Sequence, residues 1–169
     1  MLRRGDRVPL ISPASYPEPA AVSGDIETLR SWGLECDVGA HAFERHGYMA
    51  GTDTVRLQDL NEAFHDRAVR AIFATRGGAG AYRIADDIDV DAVRADPQPL
   101  VGFSDITYLQ LSLLRSCGLG SIHGCLTGST AQTSVRRLLM TTNPSVLQRR
   151  ADAVSAGVSV AGRARGRLI

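Results

Sequence analysis

Residues 102–105, with the sequence Gly-Phe-Ser-Asp, are the strongest candidates for nucleophilic chemistry in this 169-residue chain. An apolar run ends at Gly102, and Ser104 stands where the chain is predicted to turn into a helix, which is the arrangement of a nucleophile elbow. The helix N-terminus behind such a serine offers unpaired N–H groups to an oxyanion. Taken alone, the spacing favours a simpler role for Ser104 as a helix N-cap, because Ile106 stands where the elbow signature has a second glycine.

The glycine loop, residues 76–80 with the sequence Arg-Gly-Gly-Ala-Gly, is the second candidate for contact with a ligand. Glycines let the backbone approach a ligand closely, so that N–H groups point at a phosphate or an oxyanion. The loop fails as a dinucleotide fingerprint because Arg83 stands where Gly or Ala is required, and it lacks the GK[ST] phosphate motif. Both absences disfavour a nucleotide-binding protein. A tight turn without a ligand is the alternative.

The histidines and the acidic residues form no metal-binding pattern. The four histidines show no HxH or HxxxH pair, and the acidic run at 86–91 misses the spacing of an EF-hand. We therefore expect no metal and no cofactor. His123 follows a predicted strand, and it becomes a candidate base for Ser104 if the two strand ends are neighbours.

Strands that alternate with helices are expected to position these residues. The predicted strands are 7–12, 34–38, 69–75, 100–103 and 121–123. The predicted helices are 20–32, 81–85 and 90–95, one capped by Thr52 or Asp53 that ends near 65–66, and one opened by residues 104–105 that stops at Gly118. Connections too long for hairpins imply an open, mostly parallel α/β sheet flanked by helices, of the flavodoxin or Rossmann type. Ligands bind beyond the carboxyl ends of the strands in such sheets. The glycine loop and Ser104 are both predicted at that edge.

Composition excludes several classes of function. Nineteen basic residues against 18 acidic ones leave a net charge of +1, which predicts no binding to nucleic acid or to a membrane surface. All of the basic residues are arginines, so no lysine is present to form a Schiff base or to bind phosphate. No apolar run has the length to cross a bilayer, and the N-terminus does not resemble a signal peptide. Three cysteines without metal-ligand spacing suggest free thiols in a reducing compartment, hence a cytoplasmic location.

The pattern changes near residue 130. We predict an α/β domain over residues 1–130, followed by residues 131–169 as a linker into another domain. Residues 141–169 have no convincing period, and they carry five arginines but one acidic residue from position 149 onward. A frayed basic tail is the alternative interpretation.

Several blocks, in order along the chain, together resemble the LD-carboxypeptidase family of serine peptidases, which includes muramoyltetrapeptide carboxypeptidases and microcin C immunity peptidases. The blocks are residues 12–15, 47–53 with Arg56 and 59–64, 71–78, 100–107 and 123–124. The resemblance implies that Ser104 is the nucleophile and that the N–H groups of Gly78 and Asp105 form an oxyanion hole, with Gly77 contacting substrate. It implies hydrolysis of the bond to a terminal D-amino acid in murein tetrapeptides during peptidoglycan recycling, with no metal, and it makes a homodimer a further expectation.

The same resemblance implies that this chain lacks two of the three catalytic residues of the family. In this family the Glu and His partners of the serine come from a C-terminal domain, and nothing in this chain matches them, so residues 131–169 are interpreted as the truncated start of that domain. A serine without an adjacent base is a poor nucleophile, and we expect the chain alone to be nearly inactive. Two departures from the family pattern are Ala79, where an aromatic residue is common, and Cys125, where proline is usual. The competing hypothesis is a non-catalytic module that binds peptides or self-associates.

Overall fold

Five short strands form one parallel sheet in the computed structural model of the chain, which describes residues 1–143. The strands are β1 (Arg7–Ile11), β2 (Glu35–Val38), β3 (Ile72–Ala74), β4 (Leu100–Gly102) and β5 (Ile122–His123). Their order is β2-β1-β3-β4-β5, and every neighbouring pair is parallel. The predicted open, parallel α/β fold is confirmed.

Helices cover both faces of this sheet. The helices are α1 (Pro19–Ser31), α2 (Asp53–His65), α3 (Val90–Ala95), α4 (Thr107–Cys117) and α5 (Ser129–Met140). α1 and α5 pack on one face, whereas α2, α3 and α4 pack on the other. Each strand contributes side chains to the core on both faces of the sheet, because successive side chains point to opposite faces. Ile72 accordingly lies in the core with α2 to α4, and Phe73 lies in the core with α1 and α5.

The ends of the helices follow from local capping chemistry. Thr52 caps α2, since its hydroxyl accepts the N–H of Val55, and the Asp89 carboxylate accepts two N–H groups at the start of α3. Gly118 ends α4 in the left-handed conformation, with φ of +69°.

Two predicted elements are shorter than the sequence pattern suggested. The strand predicted over 69–75 pairs as a regular strand only over β3, and Val69 makes an isolated bridge to Arg7. The helix predicted over 81–85 is a single 3₁₀ turn, Ala81–Arg83. The strand is shortened mainly at its amino end, whereas the 3₁₀ turn follows the glycine loop beyond the carboxyl end of β3.

Helix α5 packs against the sheet although it follows the predicted boundary near residue 130. Val135 and Leu139 of α5 are buried in the core with α1, and the backbone N–H of Leu2 donates to the carbonyl of Leu139 at 2.8 Å. The division at 130 itself stays a prediction. Residues 144–169 of the predicted linker lie outside the described part of the chain.

Candidate active site

Ser104 lies on a strained turn at the carboxyl end of β4. Its φ is +58°, and it is the single non-glycine residue of the described chain with a positive φ. A 3₁₀ turn over Ser104–Ile106 leads directly into α4, and the Ser104 side chain is exposed. Phe103, not Ser104, occupies the N-cap position of that turn, so the N-cap interpretation of Ser104 is wrong. The geometry is that of a nucleophile elbow.

Ile106 explains how this elbow forms without a second glycine. Its side chain packs directly over Gly102, where an added Cβ would lie 2.6 Å from Ile106 Cγ2. Gly102, two residues before Ser104, therefore allows the close approach of the Ile106 side chain to the strand end. We refer to residues 102–106 as the serine elbow.

The glycine loop lies directly against the serine elbow. A Cβ added to Gly77 would meet the Ser104 Cβ at 2.8 Å and the Phe103 carbonyl oxygen at 3.0 Å, so only glycine fits there without rearrangement. The Asp105 carboxylate accepts the backbone N–H of Ala81 at 2.8 Å, which ties the end of the loop to the elbow. Two segments that the sequence placed at the same edge are thus in direct contact.

Ser15, in the loop after β1, holds the other side of the glycine loop. Its N–H donates to the Gly77 carbonyl at 3.2 Å, and its hydroxyl accepts the N–H of Ala79 at 3.1 Å. Gly78 has φ of +108°, and a Cβ on it would lie 2.6 Å from the Ser15 Cβ. Within residues 1–143, no acceptor takes the N–H of Gly78 or of Asp105. Both donors remain available to an oxyanion.

The Ser104 hydroxyl has no hydrogen-bond partner among the described residues. β5 does pair with β4, as the His123 hypothesis required, but His123 Nδ1 lies 3.4 Å from the Thr107 hydroxyl. The structure therefore does not bring His123 to Ser104 as a base.

Arg56 is a positioning residue whose role the sequence did not reveal. It is 1% exposed, and its Nη1 donates to the carbonyls of Pro13 at 2.6 Å and Gly80 at 2.9 Å. Its Nη2 pairs with Asp53. Burial lowers the pKa of Arg56, and the hydrogen bond from Arg83 lowers the pKa of Asp53. One guanidinium thus joins the loop after β1, the glycine loop and the start of α2.

A sequence signal for this role was present. Arg56 shares one face of α2 with the buried residues Leu60 and Ala63, at helical spacings of four and seven. A charged residue on an apolar helix face must find internal partners, and backbone carbonyls of neighbouring loops supply them.

A crevice opens beside the serine elbow, on the α1 and α5 side of the sheet. Its volume is about 530 Å³, and its walls come from α1, α5 and the carboxyl ends of β1, β3 and β4. Phe103 of the serine elbow and Arg76 of the glycine loop lie in its lining. Asp25 of α1 also lines it, and burial raises the pKa of that carboxyl to about 6. A crevice at the end of adjoining parallel strands is where an open α/β sheet binds its ligand.

His41 and Asp59 form a second pair of titratable groups, at the end of β2. His41 Nδ1 lies 2.6 Å from Asp59 Oδ1, and the His41 backbone N–H donates to Oδ2 at 3.1 Å. This hydrogen bond raises the pKa of His41. The pair lies at the end of a strand that two other strands separate from β4, so it orders its own loop and not the serine elbow.

The described residues contain neither a cluster of metal ligands nor a membrane-spanning helix. Across residues 1–143, no three His, Cys, Asp or Glu side chains cluster in a way that would hold a metal ion. None of the helices described is both long and apolar enough to cross a membrane. Cys36, Cys117 and Cys125 are free thiols of intermediate exposure, and Cys125 lies in the crevice lining.

The family follows from comparison with known proteins. A family model described as the LD-carboxypeptidase N-terminal domain matches residues 8–124. The chain belongs to the LD-carboxypeptidase family. The chain is 40% identical over 123 residues to a probable murein peptide carboxypeptidase of Bacillus subtilis, and 38% identical over 119 residues to a murein tetrapeptide carboxypeptidase of Pseudomonas aeruginosa. These matches cover 73% and 70% of this chain but 39% and 38% of the relatives.

Solved structures share the fold. An MccF-like protein from Bacillus anthracis superposes with a TM-score of 0.76 at 27% identity, covering 82% of this chain and 45% of that one. A muramoyltetrapeptide carboxypeptidase from Oxalobacter formigenes superposes with a TM-score of 0.71 at 23% identity, covering 80% and 48%. The chain therefore spans less than half the length of these relatives.

The predicted site residues of the chain are close together in space. Ser104, Gly77 and Asp105 meet where the serine elbow contacts the glycine loop, and Gly78 follows directly in that loop. Their roles as nucleophile, substrate contact and oxyanion donors stay predictions. The departure at Ala79 leaves the loop anchored, because its N–H still reaches Ser15.

Proposed function

We propose that this chain supplies the nucleophile of a serine LD-carboxypeptidase, with Ser104 attacking the carbonyl carbon that bears a terminal D-amino acid. The observation that carries the proposal is the φ of +58° at an exposed serine, in contact with a glycine loop. Such strain persists only where the surrounding structure imposes it, and it concentrates at active sites. The substrate we propose is a small peptide of the murein tetrapeptide class, which places the reaction in peptidoglycan recycling.

The reaction begins with formation of a bond between Ser104 Oγ and the carbonyl carbon. The oxyanion so formed accepts the N–H groups of Gly78 and Asp105, both of which have no acceptor within residues 1–143. The bond to the departing nitrogen then breaks, and the proton from the serine moves through a base to the released amine. Water then attacks the acyl carbonyl carbon while the base takes its proton, the bond to Ser104 Oγ breaks, and the proton returns to the serine as the shortened peptide leaves as a carboxylate.

The base is the component that the described residues do not offer. Serine at its ordinary pKa reacts slowly without an adjacent base, and the Ser104 hydroxyl has no partner within the 143 residues described. We propose that the Glu and His of the family's second domain complete the site. The chain on its own then has little or no turnover.

The remaining attributes of the proposed enzyme follow the same family. The reaction uses no metal and no cofactor in this proposal, because the nucleophile, oxyanion donors and base are all protein groups. Free thiols at Cys36, Cys117 and Cys125 suit a reducing compartment, and we propose a cytoplasmic location. We also propose a homodimer as the assembled form.

Labelling of Ser104 tests the nucleophile. A fluorophosphonate probe is applied to the full-length relative from Bacillus subtilis, to its variant with alanine at the position matching Ser104, and to this chain. We expect strong labelling of the relative, loss of that labelling in the alanine variant, and slow labelling of this chain that Ser104→Ala removes. Ser23→Ala, on the exposed side of α1, is the matched control and should leave the labelling unchanged. Equal labelling of a protein and its alanine variant would discard the assignment.

Release of D-alanine tests the reaction itself. A D-amino acid oxidase assay on an N-acetylated dipeptide ending in D-alanine should detect turnover by the relative, and at least about 10³-fold less by this chain, the loss expected when a serine is deprived of its base. Comparable rates would contradict the proposed role of the second domain.

A non-catalytic peptide-binding module is the second candidate function. The specific observation in its favour is the intact crevice of about 530 Å³ beside a serine that has no base within the described residues. Calorimetry with a murein tetrapeptide separates the two functions. Micromolar binding without turnover favours the module, whereas turnover favours the enzyme.

A further inference from the structure

Arg76 lies at the crevice, two residues before Gly78, which is one of the proposed oxyanion donors. It comes two residues after the end of β3 and directly before Gly77, whose Cα packs against Ser104. Its Nη1 donates to the Tyr16 carbonyl at 3.2 Å, which holds the side chain toward the loop after β1. Arg76 also lines the crevice, and it is half-buried there. The guanidinium therefore lies at the same strand ends as the serine elbow.

Arg76 makes no ion pair with any carboxylate of residues 1–143. No carboxylate oxygen in residues 1–143 comes within 4.0 Å of its nitrogens. Glu18 and Asp25 line the same crevice and still make no ion pair with it. One of the five guanidinium N–H groups is used by Tyr16, and the others have no partner within the described chain. A half-buried cation with free donors is prepared to bind an anion.

Other cations at this edge are committed elsewhere. Arg56 is bound to two carbonyls and to Asp53, and Arg83 donates to both oxygens of the same Asp53. Arg45 is exposed and stacks with its Cζ 4.1 Å from the centre of the Tyr16 ring. The chain contains no lysine. Arg76 is consequently the cation in the crevice lining that is left to meet a ligand.

The proposed reaction requires such a group. An enzyme that removes one terminal amino acid must recognise the free α-carboxylate of that residue, which lies a few bonds from the carbonyl under attack. Planar guanidinium groups bind carboxylates through two parallel hydrogen bonds and so fix position as well as charge. Oxyanion donors at Gly78 and a carboxylate-binding group at Arg76 are two residues apart on one loop.

We propose that Arg76 is a specificity-determining residue that binds the terminal carboxylate of the peptide substrate. The inference rests on the proposed function and adds to it the chemical feature by which the terminal residue is selected. Internal peptide bonds are rejected because they present a neutral amide to the guanidinium. This assigns the preference for exopeptidase over endopeptidase cleavage to Arg76, the first residue of the glycine loop.

Affinity of the 169-residue chain for two matched peptides tests the proposal without requiring turnover. The probes are Nα,Nε-diacetyl-L-lysyl-D-alanine and its C-terminal carboxamide, which differ only in the terminal charge. Titration followed by ¹H–¹⁵N NMR measures millimolar affinities and shows whether the amides of the serine elbow respond. We expect the acid to bind about tenfold more tightly than the carboxamide, the amount typical of a hydrogen-bonded charge.

Substitutions then assign that preference to a residue. R76Q should bring the ratio of acid to carboxamide affinity close to one and leave binding of the carboxamide unchanged, whereas R76K should retain part of the preference. R70Q is the matched control, since Arg70 flanks the opposite end of β3 and pairs with Asp96, and it should preserve the ratio. R45Q tests the neighbouring arginine and should also preserve it.

The outcomes separate this inference from the proposed function. An unchanged ratio in R76Q, or a ratio lost in R45Q instead, overturns the role of Arg76. Equal binding of both peptides by the unmodified chain, with responses at the serine elbow, overturns Arg76 while peptide binding at the site stands. Failure of both peptides to perturb the elbow overturns the inference and counts against the proposed substrate class as well.

Discussion

Backbone strain at Ser104 can be measured by comparing two substitutions at this one position. Ser104→Ala removes the hydroxyl but keeps the β-carbon that makes a φ of +58° unfavourable. Ser104→Gly removes the β-carbon as well. The difference between the two variants therefore reports the strain and not the loss of the hydroxyl.

The expected difference follows from two opposing contributions. A left-handed conformation costs a non-glycine residue about 1–2 kcal/mol. Glycine costs about 0.4–1 kcal/mol through the greater freedom of its unfolded chain. We therefore expect Ser104→Gly to be more stable than Ser104→Ala by about 1 kcal/mol, or about 3 °C in Tm for a chain of this size.

Urea denaturation and calorimetry of both variants provide the assay. Ser23 supplies a control pair, because it lies within α1 and both of its substitutions lose the same hydroxyl contact to Pro19. There the order should reverse, with Ser23→Ala more stable than Ser23→Gly by about 1 kcal/mol, since glycine is a poor helix former. If Ser104→Gly is no more stable than Ser104→Ala, the elbow is not strained and the main support for a nucleophile at this position is lost.

Three further perturbations probe the supports of the site. Arg56→Met should lower the free energy of unfolding by about 3 kcal/mol in urea titrations, because two buried carbonyls lose their donor; a loss below about 1 kcal/mol would contradict its positioning role. Gly78→Ala should cost about 2 kcal/mol because of its φ of +108° and its contact with Ser15, whereas the control Gly24→Ala, in open space on α1, should be neutral or stabilising. Burial raises the pKa of the Asp25 carboxyl to about 6 in the folded chain, from an ordinary value of 3.8. The stability that the protonated carboxyl contributes is therefore fully present below about pH 4 and is lost as the pH rises to about 6. Asp25→Asn should remove this fall in stability, about 1 kcal/mol after allowance for solvent screening, and an unchanged calorimetric pH profile would contradict the assignment.

The order of the elements was predictable because it depends on local periodicity and capping. Alternation of strands with amphipathic helices indicated a parallel sheet, and each strand of that sheet was found near its predicted place. The exceptions lie at strand ends. The strand predicted over 69–75 is regular only over Ile72–Ala74, because pairing with β1 and β4, and not propensity, sets where a strand stops.

In the candidate site, too, some features were predictable from the sequence and others were not. Ser104 and the glycine loop were identified from spacing and from family resemblance, and topology alone placed both at the carboxyl edge of the sheet. The support from Arg56 was not predicted, since its partners are carbonyls of Pro13 and Gly80, far from it in sequence. His123 was a candidate base on the condition that the ends of β4 and β5 are neighbours. The two strands do pair, but His123 Nδ1 lies near the Thr107 hydroxyl and not near Ser104.

By itself, the sequence determined the fold class, the family blocks and the edge of the sheet at which the chemistry lies, because these follow from periodicity, glycine positions and residue types within short segments. The tertiary structure decided that Ser104 is strained and not a helix cap, that Gly77 and Asp105 fasten the loop to the elbow, and that Arg76 keeps an unpaired charge within the described residues. Strain, close approach and the pairing of charges depend on which distant segments meet. Packing of the whole sheet and its helices brings these segments together, and no local sequence pattern predicts which of them will be in contact.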